Sequence, residues 1–325
     1  MEKYFYTPDE GSMGSTLPPV EDVGGKALGL YWLAWQKFPV PPTWTLATGL
    51  YDMALERAGV ALVAQRIWKS LLSAQHDWNT AQRALDMFEP DRQRVIESLS
   101  TLNWFDRAAM AVSSLPRDVK QWAVRSSATV EDNVRQSFAG QFSSFLSVPN
   151  DLHQLWDAIR RVWISTFERQ VFLYCIQHKT HMPRMAVVLQ PMQPITAADR
   201  SGVAFSHSPV PTLPGVLIQV APGSAETVVA GYGGDLYAIH EGRVTVQELP
   251  LPHIQVSAET GGTVKHPPVR EGALLTEEQA LLMADLMKRI SERWGAPVDV
   301  EFIWRAGEDL PTIVQIRPAK VPEGN

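Results

Sequence analysis

The chain has 325 residues, enough for about two domains of ordinary size and too few for a three-module enzyme. Hydrophobic residues make up 45% and charged residues 20%, and the 24 Pro and 21 Gly are scattered, which excludes collagenous and low-complexity classes. The net charge of -6 argues against a general nucleic-acid binder, and the single cysteine, Cys175, excludes a disulfide framework and a multi-cysteine zinc site.

The N-terminus, MEKYFYTPDE, lacks the apolar stretch of a signal peptide. The longest uncharged run, Ser201 to Ala225, is broken by Pro209, Pro211, Pro214 and Pro222 and cannot form a membrane helix. A cytoplasmic protein without membrane or nucleic-acid partners is expected. Residues 1–21 read as a flexible lead-in, ending in the turn-prone GSMGSTLPP. A helix is predicted after Gly24-Gly25, with Leu28, Tyr31 and its neighbour Trp32, Trp35 and Phe38 on its apolar face. Pro39, Pro41 and Pro42 stop it. Residues 50–118 read as mostly helical. Gln121 to Arg125 reads as a short strand, and Ser126 to Gln141 as a loop. Asp151 begins a long helix carrying Leu152, Leu155, Trp156, Ile159 and Trp163.

From residue 184 the pattern changes to strands. Met185 to Gln190, Gly202 to Phe205 and Val216 to Val220 are short apolar runs bounded by Pro, Gly and Ser. A helix over about 277–294 follows, with a capping box at Thr276 and Gln279, a buried face of Leu282, Leu286 and Ile290, and a stop at Gly295. Two strands, Val298 to Trp304 and Thr312 to Arg317, close the chain around a hairpin loop. An α+β fold is expected, with a helix-rich lobe over 22–185 and a strand-rich lobe over 186–325. The cleft between such lobes is the default ligand site.

Three segments carry chemistry. In the closing hairpin, Asp299 and Glu301 share one face by period-two alternation, and Gln315 and Arg317 share one likewise. If the strands pair, two carboxylates, an amide oxygen and a guanidinium reach one surface. Mg²⁺ takes oxygen ligands of this type, and Arg holds phosphate through a planar fork. The same alternation also describes a half-exposed hairpin with its polar residues outward. The second segment, Val23-Gly24-Gly25-Lys26, places two glycines and a cation at a helix start, where backbone N–H groups can meet an anion. It is not a Walker A loop, because Ala27 follows Lys26. A plain glycine turn fits it as well. The third, Val124-Arg125-Ser126-Ser127-Ala128-Thr129 with Ser137-Phe-Ala-Gly140-Gln141, reads as a phosphate clamp leading into a mobile lid, or as a solvated loop with an Arg ion pair.

Together these segments are similar to a known family. VGGKALGL…PVPPTWTLAT, AVRSSATVED…SFAGQFSSFLSV, VVLQPM…SGVAFSHSPV and DVEFIW…IVQIRP stand in the order found in the nucleotide-binding module of phosphoenolpyruvate synthase and pyruvate phosphate dikinase. The resemblance covers about residues 22–318 and extends to LLTEEQALLMADLMKRISERWGAPVDVEF. It also takes in Gly223 to Gly231, with Ala225 where the family commonly has a second Gly. It implies an ATP-grasp fold with ATP between two lobes. It implies that Lys26 and Arg125 hold ATP phosphates and that Glu301 and Gln315 sit at Mg²⁺ with Asp299 beside them. Arg317 is implied near the transferred group. Gln190, Pro191 and Met192 are implied along the adenine, and the 129–141 loop, with Thr129, Gly140 and Gln141, as the lid.

The family's phosphohistidine module is not found among these motifs. Gly261-Gly262-Thr-Val-Lys-His266 has the GGxxxH spacing, but Pro267-Pro268 follows where the family has an Ala-rich helix start, so His266 reads as a loop histidine. A stand-alone chain of this kind resembles the ATP-binding subunit of phenylphosphate synthase or 4-cresol-phosphorylating synthase. The expectation is a split dikinase-type phosphotransferase. It would bind Mg-ATP and phosphorylate a histidine on a swivelling partner subunit, which passes the group to a small acceptor such as a phenol or cresol. A free-standing ATP-grasp kinase or ligase, and a nucleotide-sensing module without turnover, are the competing readings.

Overall fold

The computed structural model describes residues 3–12, 15–74, 76–131, 141–224, 228, 233–251, 253–258, 261–267 and 272–319. The chain divides into two compact units, Met1–Tyr31 with Pro42–Met192, and Trp32–Pro41 with Gln193–Asn325.

The first unit is built on an antiparallel sheet of β1 (Phe5–Tyr6), β2 (Trp44–Leu46), β3 (Gln121–Ala128), β4 (Ser144–Pro149) and β5 (Met185–Met192), in the order β1-β2-β5-β3-β4. Its helices are α1 (Val20–Trp35, whose last turn passes into the second unit), α2 (Thr48–Arg57), α3 (Ala61–Ser73), α4 (Trp78–Met87), α5 (Glu89–Ser100), α6 (Asp106–Ser113), α7 (Leu152–Ile164) and α8 (Arg169–His178). Trp122 and Val124 of β3, Val187 and Leu189 of β5, and Leu155, Ile159 and Trp163 of α7 meet in one core. Fully burying each such side chain is worth about 1.5–3 kcal/mol. Asp151 caps α7, its carboxylate accepting from the backbone N–H of His153 and Gln154.

The second unit is a six-stranded antiparallel sheet of β6 (Arg200–Phe205), β7 (Val216–Pro222), β8 (Asp235–His240), β9 (Arg243–Glu248), β12 (Val298–Trp304) and β13 (Thr312–Pro318), in the order β13-β12-β6-β7-β8-β9. A separate hairpin pairs β10 (Ile254–Ser257) with β11 (Thr263–His266). Helix α9 (Glu277–Trp294) covers one face of the large sheet. Its Thr276–Gln279 capping box is formed, and the helix ends at Gly295.

Several expectations need correcting. Residues 3–12 are ordered in place of a loose lead-in: Phe5–Tyr6 pairs with β2, and the Tyr6 hydroxyl donates to Asp22 at 2.6 Å. The buried face of α1 is Val23, Ala27, Leu30, Tyr31 and Leu33, whereas Trp35 is 36% exposed. Leu152 of α7 is also exposed, and Leu282 of α9 is only partly buried. Strand β3 runs three residues past Arg125, because β5 pairs with it through Ala128↔Met185. The division of the chain follows Met192 and not residue 185 for the same reason. Trp32–Pro41 belongs with the second unit, where Leu33 and Phe38 join the core under α9 and Trp32 meets Trp294 edge-on at 4.6 Å. Strands β8 to β11 were not expected from the sequence. Much of β9 and β11 is exposed, so neither shows the apolar run that marked the central strands.

Candidate functional site

Each unit brings together one group of the expected residues. In the first, α1 is broken at Gly24, whose φ of 74° and ψ of 172° lie outside any helix. This turn rests on β3. The Ser127 hydroxyl donates to the Val23 carbonyl at 2.7 Å and accepts from the Ala27 N–H at 3.0 Å. Lys26 is thereby brought to the end of the same strand. Its ammonium donates to Ser126 Oγ at 3.1 Å and to Glu131 Oε1 at 2.9 Å. The other Glu131 oxygen accepts from the Ala128 N–H at 2.8 Å, and the Glu131 side chain is only 2% exposed. Arg125 lies half-buried on β3, opposite Val188 of β5 and Ser144 of β4. An ammonium and a guanidinium, near a glycine turn at a helix start, suit a polyanion.

The other expected residues of this unit are spread along its strands. Thr129 exchanges hydrogen bonds with Arg184, its backbone N–H reaching the Arg184 carbonyl at 3.0 Å. Gln190 is buried, with its amide donating to Thr43 Oγ1 at 3.1 Å. Pro191 lies opposite Trp122. Met192 is buried, and its sulfur accepts from the Ser147 N–H at 3.2 Å. The Gln141 carbonyl accepts from Gln170 at 3.4 Å. Gly140, the 132–140 part of the expected lid, and all but Gly223, Ser224 and Val228 of the Gly223 to Gly231 turn lie outside the described residues.

In the second unit the closing hairpin pairs Asp299 with Arg317 and Glu301 with Gln315. Val298, Val300, Phe302 and Trp304 enter the core under α9, so Asp299 and Glu301 occupy the opposite face. The register shifts after Glu301, which lets Ile313 and Ile316 both enter that core while Gln315 still faces Glu301. Arg317 Nε donates to Asp299 Oδ1 at 2.6 Å. Burial pushes the Asp299 carboxyl up to about 6, against the pull of the Arg317 guanidinium and with a further push from Glu301.

That shift has a sign that can be checked. The folded carboxyl binds its proton more tightly than the unfolded one, so its contribution to stability is complete below about pH 4 and lost as pH rises through about 6. Asp299→Asn removes this term. Between pH 4 and 7.5 the metal-free variant is expected to gain about 2 kcal/mol on the wild type, read from urea midpoints. Parallel pH profiles would contradict the environment described for Asp299.

The donor set fits a hard cation. Asp299, Glu301 and Gln315 offer carboxylate and amide oxygens, and Mg²⁺ is bound through one or two carboxylates plus substrate oxygens. No group of three His, Cys, Asp or Glu that could hold a metal occurs among the described residues. A cation here would complete its shell with ligand oxygens and water.

The description that matches this chain is "Pyruvate phosphate dikinase, AMP/ATP-binding domain", over residues 20–324. The chain belongs to the pyruvate phosphate dikinase AMP/ATP-binding domain family. Proteins similar to the chain include a probable phosphoenolpyruvate synthase of Methanothermobacter thermautotrophicus, 28% identical over 305 residues, 91% of this chain and 43% of that protein. A rifampicin phosphotransferase of Streptomyces sviceus is 30% identical over 247 residues, 73% of this chain and 28% of that protein. A phosphoenolpyruvate synthase of Pyrococcus furiosus is 26% identical, covering 91% of this chain and 42% of that protein. The chain thus spans less than half the length of these relatives.

Three side chains of this domain have contacts that the sequence does not show. Small hydroxyl residues give no strand signal, so Ser126 and Ser127 read as loop; pairing with β5 makes them strand. The sequence suggests no role for Glu131. A Glu five residues beyond a Lys-binding strand position has no sequence mark of its own, and only the fold brings it to Lys26. Among the described residues no helix is long and apolar enough to cross a membrane.

Proposed function

We propose that this chain binds Mg-ATP in an ATP-grasp arrangement and acts as the ATP-dependent half of a phosphotransferase. Lys26 and Arg125 hold phosphate oxygens. Glu301 and Gln315, with Asp299 beside them, hold Mg²⁺, and Arg317 lies near the transferred group. Bound Mg²⁺ would neutralise charge on the phosphate oxygens. The protein groups orient the nucleotide and stabilise the charge that builds up as the phosphoryl group leaves. The observation that carries this reading is the closing hairpin. It places Asp299, Glu301, Gln315 and Arg317 on one face within a chain of the dikinase domain family. The relatives named phosphoenolpyruvate synthase and rifampicin phosphotransferase support phosphoryl transfer as the reaction class.

The acceptor in this reading is a histidine of a separate swivelling subunit. That histidine then passes the group to a small hydroxyl compound. The resemblance to phenylphosphate and cresol-phosphorylating synthases favours a phenol or cresol. His266 is not that histidine. It ends β11, is exposed, and pairs with Ile254; it stands in a strand, neither in a loop as expected nor at a helix start. His266→Ala is expected to leave ATP-dependent labelling unchanged.

The test is incubation with γ- and β-labelled ATP, with and without the histidine-bearing protein. Label on that protein supports the split enzyme. Label on a small molecule without it supports a kinase acting directly, and ATP binding without any transfer supports a sensor. Label on this chain that disappears in His266→Ala would overturn the exclusion of His266.

A further inference from the structure

Lys26 reaches its place with two of its three N–H donors already committed. One goes to Ser126 Oγ at 3.1 Å and one to Glu131 Oε1 at 2.9 Å. An ammonium on a four-carbon stem rotates freely unless its donors are held. Two fixed acceptors set the direction of the third. Glu131 in turn is held by the backbone: its second oxygen accepts from the Ala128 N–H, at the end of β3, at 2.8 Å. The bridge therefore needs two acceptor oxygens on one side chain. A carboxylate has them; an amide has one, and its NH₂ would face a donor. The pair is also enclosed, with side-chain exposures of 14% for Lys26 and 2% for Glu131. Charge-assisted bonds in such surroundings are stronger than at the surface.

We infer that Glu131 is a positioning residue for nucleotide binding. It anchors the Lys26 ammonium to the end of β3, so that its remaining N–H is aimed before the polyphosphate arrives. This rests on the ATP-binding reading of Lys26. A turn cap alone would need only the bond to Ala128. The second oxygen on Lys26 is what a cap does not explain.

The two roles separate in a double-mutant cycle read by ATP affinity. With Lys26 present, Glu131→Gln frees the ammonium and is expected to weaken ATP binding about tenfold. In a Lys26→Met background the same change should leave affinity unchanged or improve it. The carboxylate there has no cation to hold and only repels the triphosphate. A merely structural cap would give the same loss in both backgrounds, and that result would overturn the proposal. Should Lys26→Met fail to fold around an unpaired carboxylate, Lys26→Gln, which still donates to Glu131, serves as the second background. Thermal unfolding of each variant checks the fold. A wild type with no affinity for ATP would remove the functional reading and this role with it. Wild-type affinity with equal losses in both backgrounds removes this role alone.

Discussion

Glu301→Gln is expected to reduce ATP-dependent phosphoryl transfer by at least about a hundredfold, the scale seen when one charge-stabilising group is lost from a reaction site. The unfolding midpoint should stay near that of the wild type. The two halves of this expectation come from opposite faces of one strand. Val300 and Phe302 on either side are fully buried under α9 and hold β12 in place. Backbone pairing to Val203 of β6 and Gln315 of β13 does not depend on the Glu301 side chain. The carboxylate itself lies on the other face, outside the core. Replacing it with an amide keeps shape and removes the negative charge that a divalent cation needs. Transfer measured with labelled ATP across a range of Mg²⁺ concentrations checks it. Full activity at ordinary Mg²⁺ would remove Glu301 from the metal site. Partial recovery at high Mg²⁺ would support it, since a weakened site refills by mass action.

Gly24→Ala is the second large effect, and it acts on backbone. The residue has a positive φ with extended ψ, a combination essentially confined to glycine and costing about 1–3 kcal/mol for other residues. A Cβ there would also lie 2.1 Å from the Ser127 carbonyl oxygen and 2.5 Å from its hydroxyl. Ser127 cannot retreat cheaply, because β3 is an interior strand held between β5 and β4. The turn must therefore lift away, breaking the bonds from Ser127 to Val23 and Ala27 and carrying Lys26 with it. The expected result is a loss of about 3 kcal/mol or more in urea unfolding, together with loss of measurable ATP affinity. Gly59 supplies the control. Its φ is 69°, but a Cβ there meets nothing within 4 Å. Gly59→Ala should cost only the local strain, about 1 kcal/mol, and leave ATP affinity alone. Equal effects at the two positions would refute the close contact as the cause.

The closing hairpin is legible from sequence because polar and apolar residues alternate over 298–302 on one strand and 314–317 on the other. Residues 298, 300, 302 and 304 are apolar, and the polar pair Asp299 and Glu301 stands between them. Helix α9 was legible for a similar local reason: its cap and its stop lie within its own residues. The reach of β3 was not legible. Ser126, Ser127 and Ala128 have no strand pattern, and their pairing to Val187, Ala186 and Met185 joins residues far apart in the chain. The same holds for Trp32–Pro41. These residues include the last turn of a helix that begins in the first unit, but they pack in the core of the second.

By itself, then, the sequence determined the chemical groups and the elements that carry them: the glycine turn before Lys26, the strand bearing Arg125, and the carboxylate hairpin. Local periodicity and turn chemistry suffice for these, because each is written within a dozen residues. Only the tertiary structure decided which groups meet. It set Lys26 against Ser126 and Glu131, placed Ser127 beneath Gly24, and paired the buried Asp299 carboxyl with a half-buried Arg317 guanidinium, a bond that coexists with a raised carboxyl pKa. Contacts across a hundred residues of chain, and the desolvation that comes with them, leave no mark in a local pattern. They arise when burial of the two cores brings the strands together.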